Sequence, residues 1–185
     1  MFSCNKQEKV YDYDISPVDI DKVRITGGMW AELVARNREV TLPYAFKKCE
    51  ETNRIENFAR AAGITEGPHE GERYNDTDVY KIIEGAAYSL MQKPDAKLEQ
   101  YVDSLVSLIA AAQEPDGYIF TSRTIDATKP APGAGRERWI DVWVSHELYN
   151  AGHLDEAAVA YYKATGKREL LDVALKNADL IYDEL

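Results

Sequence analysis

Cysteine, long apolar runs and clustered positive charge are what this sequence has least of. It holds two cysteines in 185 residues, Cys4 and Cys49, too few for a disulfide framework. Cys49 sits among helix-forming residues, where a thiol behaves as a small packed apolar group. No run approaches the roughly 20 apolar residues that a membrane-spanning helix requires. The 22 basic residues form no block that could track a phosphate backbone and are outnumbered by 32 acidic ones, for a net charge of −10. That balance argues against a nucleic-acid partner. The closing segment, DVALKNADLIYDEL, has no Gly, Asn or Pro after its apolar helical pattern, so the sequence is expected to be truncated at Leu185.

Residues 1–9, MFSCNKQEK, place a small residue ahead of Cys4 and a polar, Lys-containing stretch after it. They are either a remnant of a bacterial lipoprotein signal or a disordered N-terminus. The first alternative expects a periplasmic or lipid-anchored protein at the bacterial envelope, the second a cytoplasmic one. Residues 10–28 are rich in β-branched side chains with partial alternation, which predicts an extended β arm.

From residue 29 to residue 185 the pattern turns helical. Helices are expected at 29–51 with a bend at Pro43, at 76–91, at 95–113, at 141–165 with a weak point at Gly152, and from 167 onward. Val79, Ile82, Ile83, Ala86, Ala87 and Leu90 share one stripe, and Leu98, Val102, Leu105, Ile109 and Ala112 share the next. Only QKPD separates the two, so they form an antiparallel hairpin. The pair on either side of the turn TGK repeats the arrangement, Ala86 and Ala87 matching Ala157 and Ala158. A hairpin repeat of about 70 residues builds either an open solenoid or a closed α/α toroid, and periodicity leaves that choice open. The stretch 114–138 separates the hairpins. It runs to roughly 25 residues where connections are typically about 4 to 6, and its aromatic start and Arg-Trp end favour an ordered lid or rim.

The candidate chemistry gathers around WIDVWVSHELYNAGH. His146 and Glu147 invite comparison with the HExxH zinc signature, which needs a second histidine one turn later. Asn150 occupies that position, so that metal site is absent. If Ser145 or Asp141 caps the helix, His146 falls in or near the first turn, where the dipole favours a neutral imidazole able to donate and accept. A substrate hydroxyl would suit it, and so would a partner within the helix packing. His153, after Gly152, reads as structural. Asn75 and Asp76 are expected to cap the helix at 76–91, with Asp78 in its first turn. Gly85 suits a close helix contact. Glu56 and Glu147 are conceivable general acids, but neither is assigned that role. Trp139, Trp143, Tyr149 and Tyr74 suit a sugar-stacking wall or ordinary packing equally.

Taken in order, NRIENFARAAG, YNDTDVYKIIEGAAYSL, AAAQEPDGYI and RWIDVWVSHELYNAGHLDEAAVAYYKATGKRELLDVA resemble the N-terminal part of the catalytic domain of glycoside hydrolase family 127, the β-L-arabinofuranosidases. The resemblance implies an all-α fold, the first hairpins of an (α/α)6 toroid. It implies a retaining hydrolase that releases β-linked L-arabinofuranose from plant-type glycans, so the expected partner is a carbohydrate. It also implies a zinc-bound cysteine nucleophile and a glutamate acid/base. None of these catalytic or metal-binding residues matches a position here, so they are expected beyond Leu185 and residues 1–185 alone are expected to be inactive. The histidine of SHELY, His146, corresponds to a sugar-contacting residue of the family. Asn150 stands where the family often has cysteine, and IFTSRT after DGY departs from the usual loop. The alternative to the enzyme is a non-catalytic helical-repeat scaffold.

Overall fold

The computed structural model describes residues 15–185. The expectations for residues 1–9, Cys4 included, and for the first part of the β arm lie outside the described residues. Within the rest of the arm, and throughout the described residues, there is no strand. Residues 15–27 run extended apart from a 3-10 turn at Ile20–Lys22. The expected β arm is therefore not seen among these residues: the backbone is extended, but a strand needs a partner to hydrogen-bond with. Gln92 Nε2 donates to the Val23 carbonyl at 2.9 Å, tying this segment to the helical body.

Helix α1 (Gly28–Arg36) passes through a π-turn (Asn37–Thr41) into α2 (Leu42–Glu51). The expected irregularity near Pro43 is therefore a widened turn just before it. Proline lacks an N–H, and its ring would crowd the carbonyl four residues back. The Leu42 N–H instead reaches Asn37 O, five residues back. Helix α3 (Arg54–Ala61) follows, an element the sequence reading did not assign as a helix. Then come α4 (Asp76–Gln92), α5 (Ala96–Ala112), the short α6 (Thr121–Thr124) and α7 (Val142–Ser145), α8 (Glu147–Thr165) and α9 (Glu169–Glu184).

The α4–α5 hairpin is closed by Asp95, whose carboxylate accepts the Lys97 and Leu98 amides at 3.0 and 3.2 Å. That satisfies two of the donors a helix start leaves free. At the α8–α9 turn Gly166 takes φ +76°, the left-handed position where glycine is least strained. The hairpins stand side by side in two layers: α2, α4 and α8 in one, α3, α5 and α9 in the other. Helices α4 and α8 run parallel, since Lys81 meets Tyr149 near their starts and Met91 lies level with Val159 and Lys163 near their ends. Between the layers Val79, Ile83, Ala86 and Ala87 of α4, Val102 and Ile109 of α5, Leu154, Ala157, Ala158 and Tyr161 of α8, and Leu170 of α9 are buried in one core. The matched alanine pairs thus serve the same purpose, removing side-chain bulk where helices approach. Gly85 faces Leu42, but a Cβ there would make ordinary contact at 3.4 Å from Leu42 Cδ2, so the close approach expected of it does not require glycine.

Lys167 ties the second hairpin to the first through Glu99 and Asp103 at 2.7 and 2.6 Å. The Tyr161 hydroxyl donates to Asp103 at 2.7 Å. The stretch 114–138 is ordered as expected. Tyr118, Phe120 and Ala134 form a second small core with Trp139 and Leu180 packed on it, and Arg138 pairs with Glu114 and Asp116.

Candidate functional site

The long connections 62–75 and 113–141 both lead into the first turns of parallel helices, so they gather at one end of the hairpins. His146 lies at that end. The expected single helix 141–165 is broken at His146, between α7 and α8, and Gly152 sits inside an uninterrupted α8. His146 takes φ +65°, ψ +20°, a left-handed conformation that costs a non-glycine residue about 1–2 kcal/mol. It is therefore the residue just ahead of α8 rather than part of its first turn. Its carbonyl accepts both the Asn150 amide and the Asn150 side-chain amide, at 2.9 and 2.8 Å. Asn150, whose presence removes the HExxH pattern, is a buried clamp on the histidine's backbone.

The His146 ring is fixed from the other side. Its Nδ1 lies 2.7 Å from the Val144 carbonyl, and because a carbonyl only accepts, Nδ1 carries the proton. In the neutral ring Nε2 is then an acceptor, and it has no protein partner among the described residues. Tyr74 lies tilted against the ring at 5.0 Å between centroids and Tyr149 meets it edge-on at 5.7 Å. Lys81 donates to the Tyr149 hydroxyl at 2.6 Å. Arg73 Nε donates to Val144 O, and its guanidinium lies over Tyr74. His153 pairs with Glu156 at 2.9 Å and packs on Tyr149, the structural part expected of it.

Of the four aromatics read as a stacking wall, Tyr74 and Tyr149 flank His146. Trp139 packs edge-on against Tyr118 and donates to Glu184, which makes it a packing residue. Trp143 is 93% exposed.

Glu147 is 3% exposed and is saturated with donors. It accepts from the Tyr118 hydroxyl at 2.6 Å, the Ser145 hydroxyl at 2.7 Å and the Trp139 amide at 3.1 Å. Glu56 accepts from Thr65 at 2.7 Å and lies near Arg60.

The expected caps of α4 are corrected. Neither Asn75 nor Asp76 caps with its side chain, because the preceding turn already supplies Tyr74 and Asn75 carbonyls to the Thr77 and Asp78 amides. Asp76 is freed to bind the neighbouring loop, accepting the Thr121 amide at 2.8 Å and the Thr121 hydroxyl at 2.6 Å. Burial pushes its carboxyl up to about 6 against the opposing pull of those two donors. Asp78 lies in the first turn as expected and pairs with Arg54 at 2.6 Å.

Sequence reasoning passed over Arg73, Lys81 and His69. His69 lies beside a recess of about 590 Å³ between the two connections, with Ser122, Lys129 and Pro132. Burial and the Arg60 guanidinium hold its imidazole below the usual range. Only the approach of Lys81 to Tyr149, 68 positions along the chain, would have signalled its place, and that is a tertiary fact. Among the described residues no group of three or more His, Cys, Asp or Glu side chains could hold a metal ion. Burial pushes the Cys49 thiol up to about 11, the opposite of what a metal-bound thiolate needs.

The chain has clear relatives. It is 42% identical over 127 residues to the non-reducing end β-L-arabinofuranosidase of Bifidobacterium longum subsp. longum, covering 69% of this chain and 19% of that protein. A solved GH127 β-arabinofuranosidase superposes with a TM-score of 0.86 at 51% identity, over 91% of this chain and 27% of that one. A GH127 β-L-arabinofuranosidase from Geobacillus stearothermophilus T6 gives 0.80 at 39%, over 86% and 25%. The chain thus spans about a fifth to a quarter of the length of these relatives. The family described as β-L-arabinofuranosidase, GH127 catalytic domain, matches residues 22–185, and the chain belongs to that family.

Proposed function

We propose that the protein containing these residues is a retaining glycoside hydrolase that releases β-linked L-arabinofuranose, and that this stretch supplies one wall of its sugar site. In this reading the hairpins are the first sector of an (α/α)6 toroid. The thiolate nucleophile, the acid/base glutamate and the zinc belong to residues outside 1–185, and no step here depends on them. One observation carries the role of this stretch: the free Nε2 of His146, held between Tyr74 and Tyr149 at the end where both long connections gather. With Nδ1 committed to Val144, Nε2 is oriented to accept a sugar hydroxyl, and the flanking rings offer apolar faces to the sugar's C–H groups.

The test is hydrolysis by the whole protein of paired 4-nitrophenyl α- and β-L-arabinofuranosides. Release from the β anomer, with the first-formed sugar still β by NMR, is the expected result. Cleavage of the α anomer alone, or inversion at the anomeric carbon, contradicts the proposal.

A further inference from the structure

Glu147 is a buried carboxylate that no expected step of the hydrolysis uses. Three donors from separate places along the chain converge on it: the Tyr118 hydroxyl, the Ser145 hydroxyl and the Trp139 amide. Tyr118 and Ser145 are themselves fully buried, at 1% and 0% exposure. No basic side chain hydrogen-bonds to or pairs with the carboxylate among the described residues, so its direct polar contacts are these three neutral donors. A buried charge left in that state is stabilised only if each donor stays in place.

The two backbone positions bracketing this junction, Trp139 at φ +63° and His146 at φ +65°, are both non-glycine residues in the left-handed region. Such strain persists when the surroundings over-determine it. Glu147 touches both ends of the segment that precedes it: it binds the Trp139 amide directly, and it holds Ser145, the residue before His146. The Glu147 amide also reaches back to the Ser145 hydroxyl at 3.5 Å, a weak second link across His146. The Asn150 clamp fixes the same residue from the α8 side.

We infer that Glu147 is the positioning residue for His146: its carboxylate gathers Tyr118, Trp139 and Ser145 so that the strained junction aims Nε2 at the sugar. This rests on the substrate contact proposed above for His146. Glutamine at 147 keeps the size but turns one acceptor into an NH2 that faces donors. The junction is then expected to relax and His146 to lose its aim while the α4–α8 core stays intact.

The experiment is a double-mutant cycle in the whole protein on a β-L-arabinofuranoside: wild type, His146→Ala, Glu147→Gln and both together, with melting temperature measured for each. Both single variants should lose about tenfold or more in kcat/KM, and Glu147→Gln should change nothing further, within about twofold, once His146 is alanine. An equal loss from Glu147→Gln in both backgrounds means that it acts independently of the histidine and overturns the inference while leaving the substrate contact standing. Unchanged kinetics in His146→Ala overturn the contact itself, and the inference with it. If Glu147→Gln does not fold, Tyr118→Phe removes one donor without burying a new polar group. The same cycle with Tyr118→Phe must show the same non-additivity, and additive losses there refute the inference.

Discussion

Asp76 offers the sharpest electrostatic test of the loop end. Its carboxyl is 1% exposed, and burial raises it from 3.8 to about 6, with the Thr121 donors pulling the other way. An acid whose folded value is raised favours the folded state while protonated. Its contribution is fully present below about 3.8 and is lost as pH rises through about 6. The difference of roughly 2.2 units corresponds to about 3 kcal/mol at 1.36 kcal/mol per unit. Asp76→Asn does not titrate. The stability of the variant relative to wild type should therefore improve by about 2.4 kcal/mol, most of that difference, as pH is raised from about 4 to about 7. Urea unfolding of both whole proteins across that range measures the difference. The common contributions of Glu51, Glu70, Asp103, Asp116 and Asp126, all lowered and so lost as pH falls, cancel between the two. A flat difference would refute the reasoning. So would a variant that loses ground as pH rises, because the two Thr121 hydrogen bonds would then outweigh burial.

Three further outcomes follow from packing and from the metal reading. Gly117 has φ +107°, and a Cβ there would sit 2.4 Å from the Lys176 carbonyl oxygen. Gly117→Ala should lower stability by about 2–4 kcal/mol through backbone strain and overpacking, read as a lower melting temperature; an unchanged melt contradicts the close approach of α9. Leu154, fully buried between α4 and α8, should cost about 3–5 kcal/mol as Leu154→Ala, and a loss under about 1 kcal/mol in urea unfolding would mean that the core there is loosely packed. Zinc measured by elemental analysis of the whole protein should be near stoichiometric and unaltered by Cys49→Ala, whereas a variant that loses its zinc would make Cys49 a ligand after all.

The hairpins were legible in the sequence because α4, α5, α8 and α9 each run four turns or more with an unbroken apolar stripe. Helix α3 carries Ile55, Phe58 and Ala59 at helical spacing, but it lasts two turns and starts from a left-handed Asn53, too short a window for periodicity to separate it from a loop. The β arm failed for a different reason. Val18, Ile20 and Val23 have β-forming side chains, but strand pairing is a property of two segments and only one is present among the described residues. At the site, the sequence placed His146 in or near the first turn of a helix. It could not show that the helix breaks there, because the break depends on Glu147 reaching Tyr118, 29 positions away, and on Asn150 clamping the carbonyl. Asp76 misled for the same reason: an N-terminal acid reads as a cap until a loop 45 positions on supplies better donors.

The central claim is that His146 Nε2 accepts from the sugar. A crystal structure of the whole protein soaked with L-arabinose tests it most directly. The account predicts a furanose hydroxyl about 2.7–3.1 Å from Nε2, with Nδ1 still on Val144 and the ring between Tyr74 and Tyr149. A sugar bound with no hydroxyl within reach of His146, or a ring turned so that Nε2 faces the protein, would contradict it.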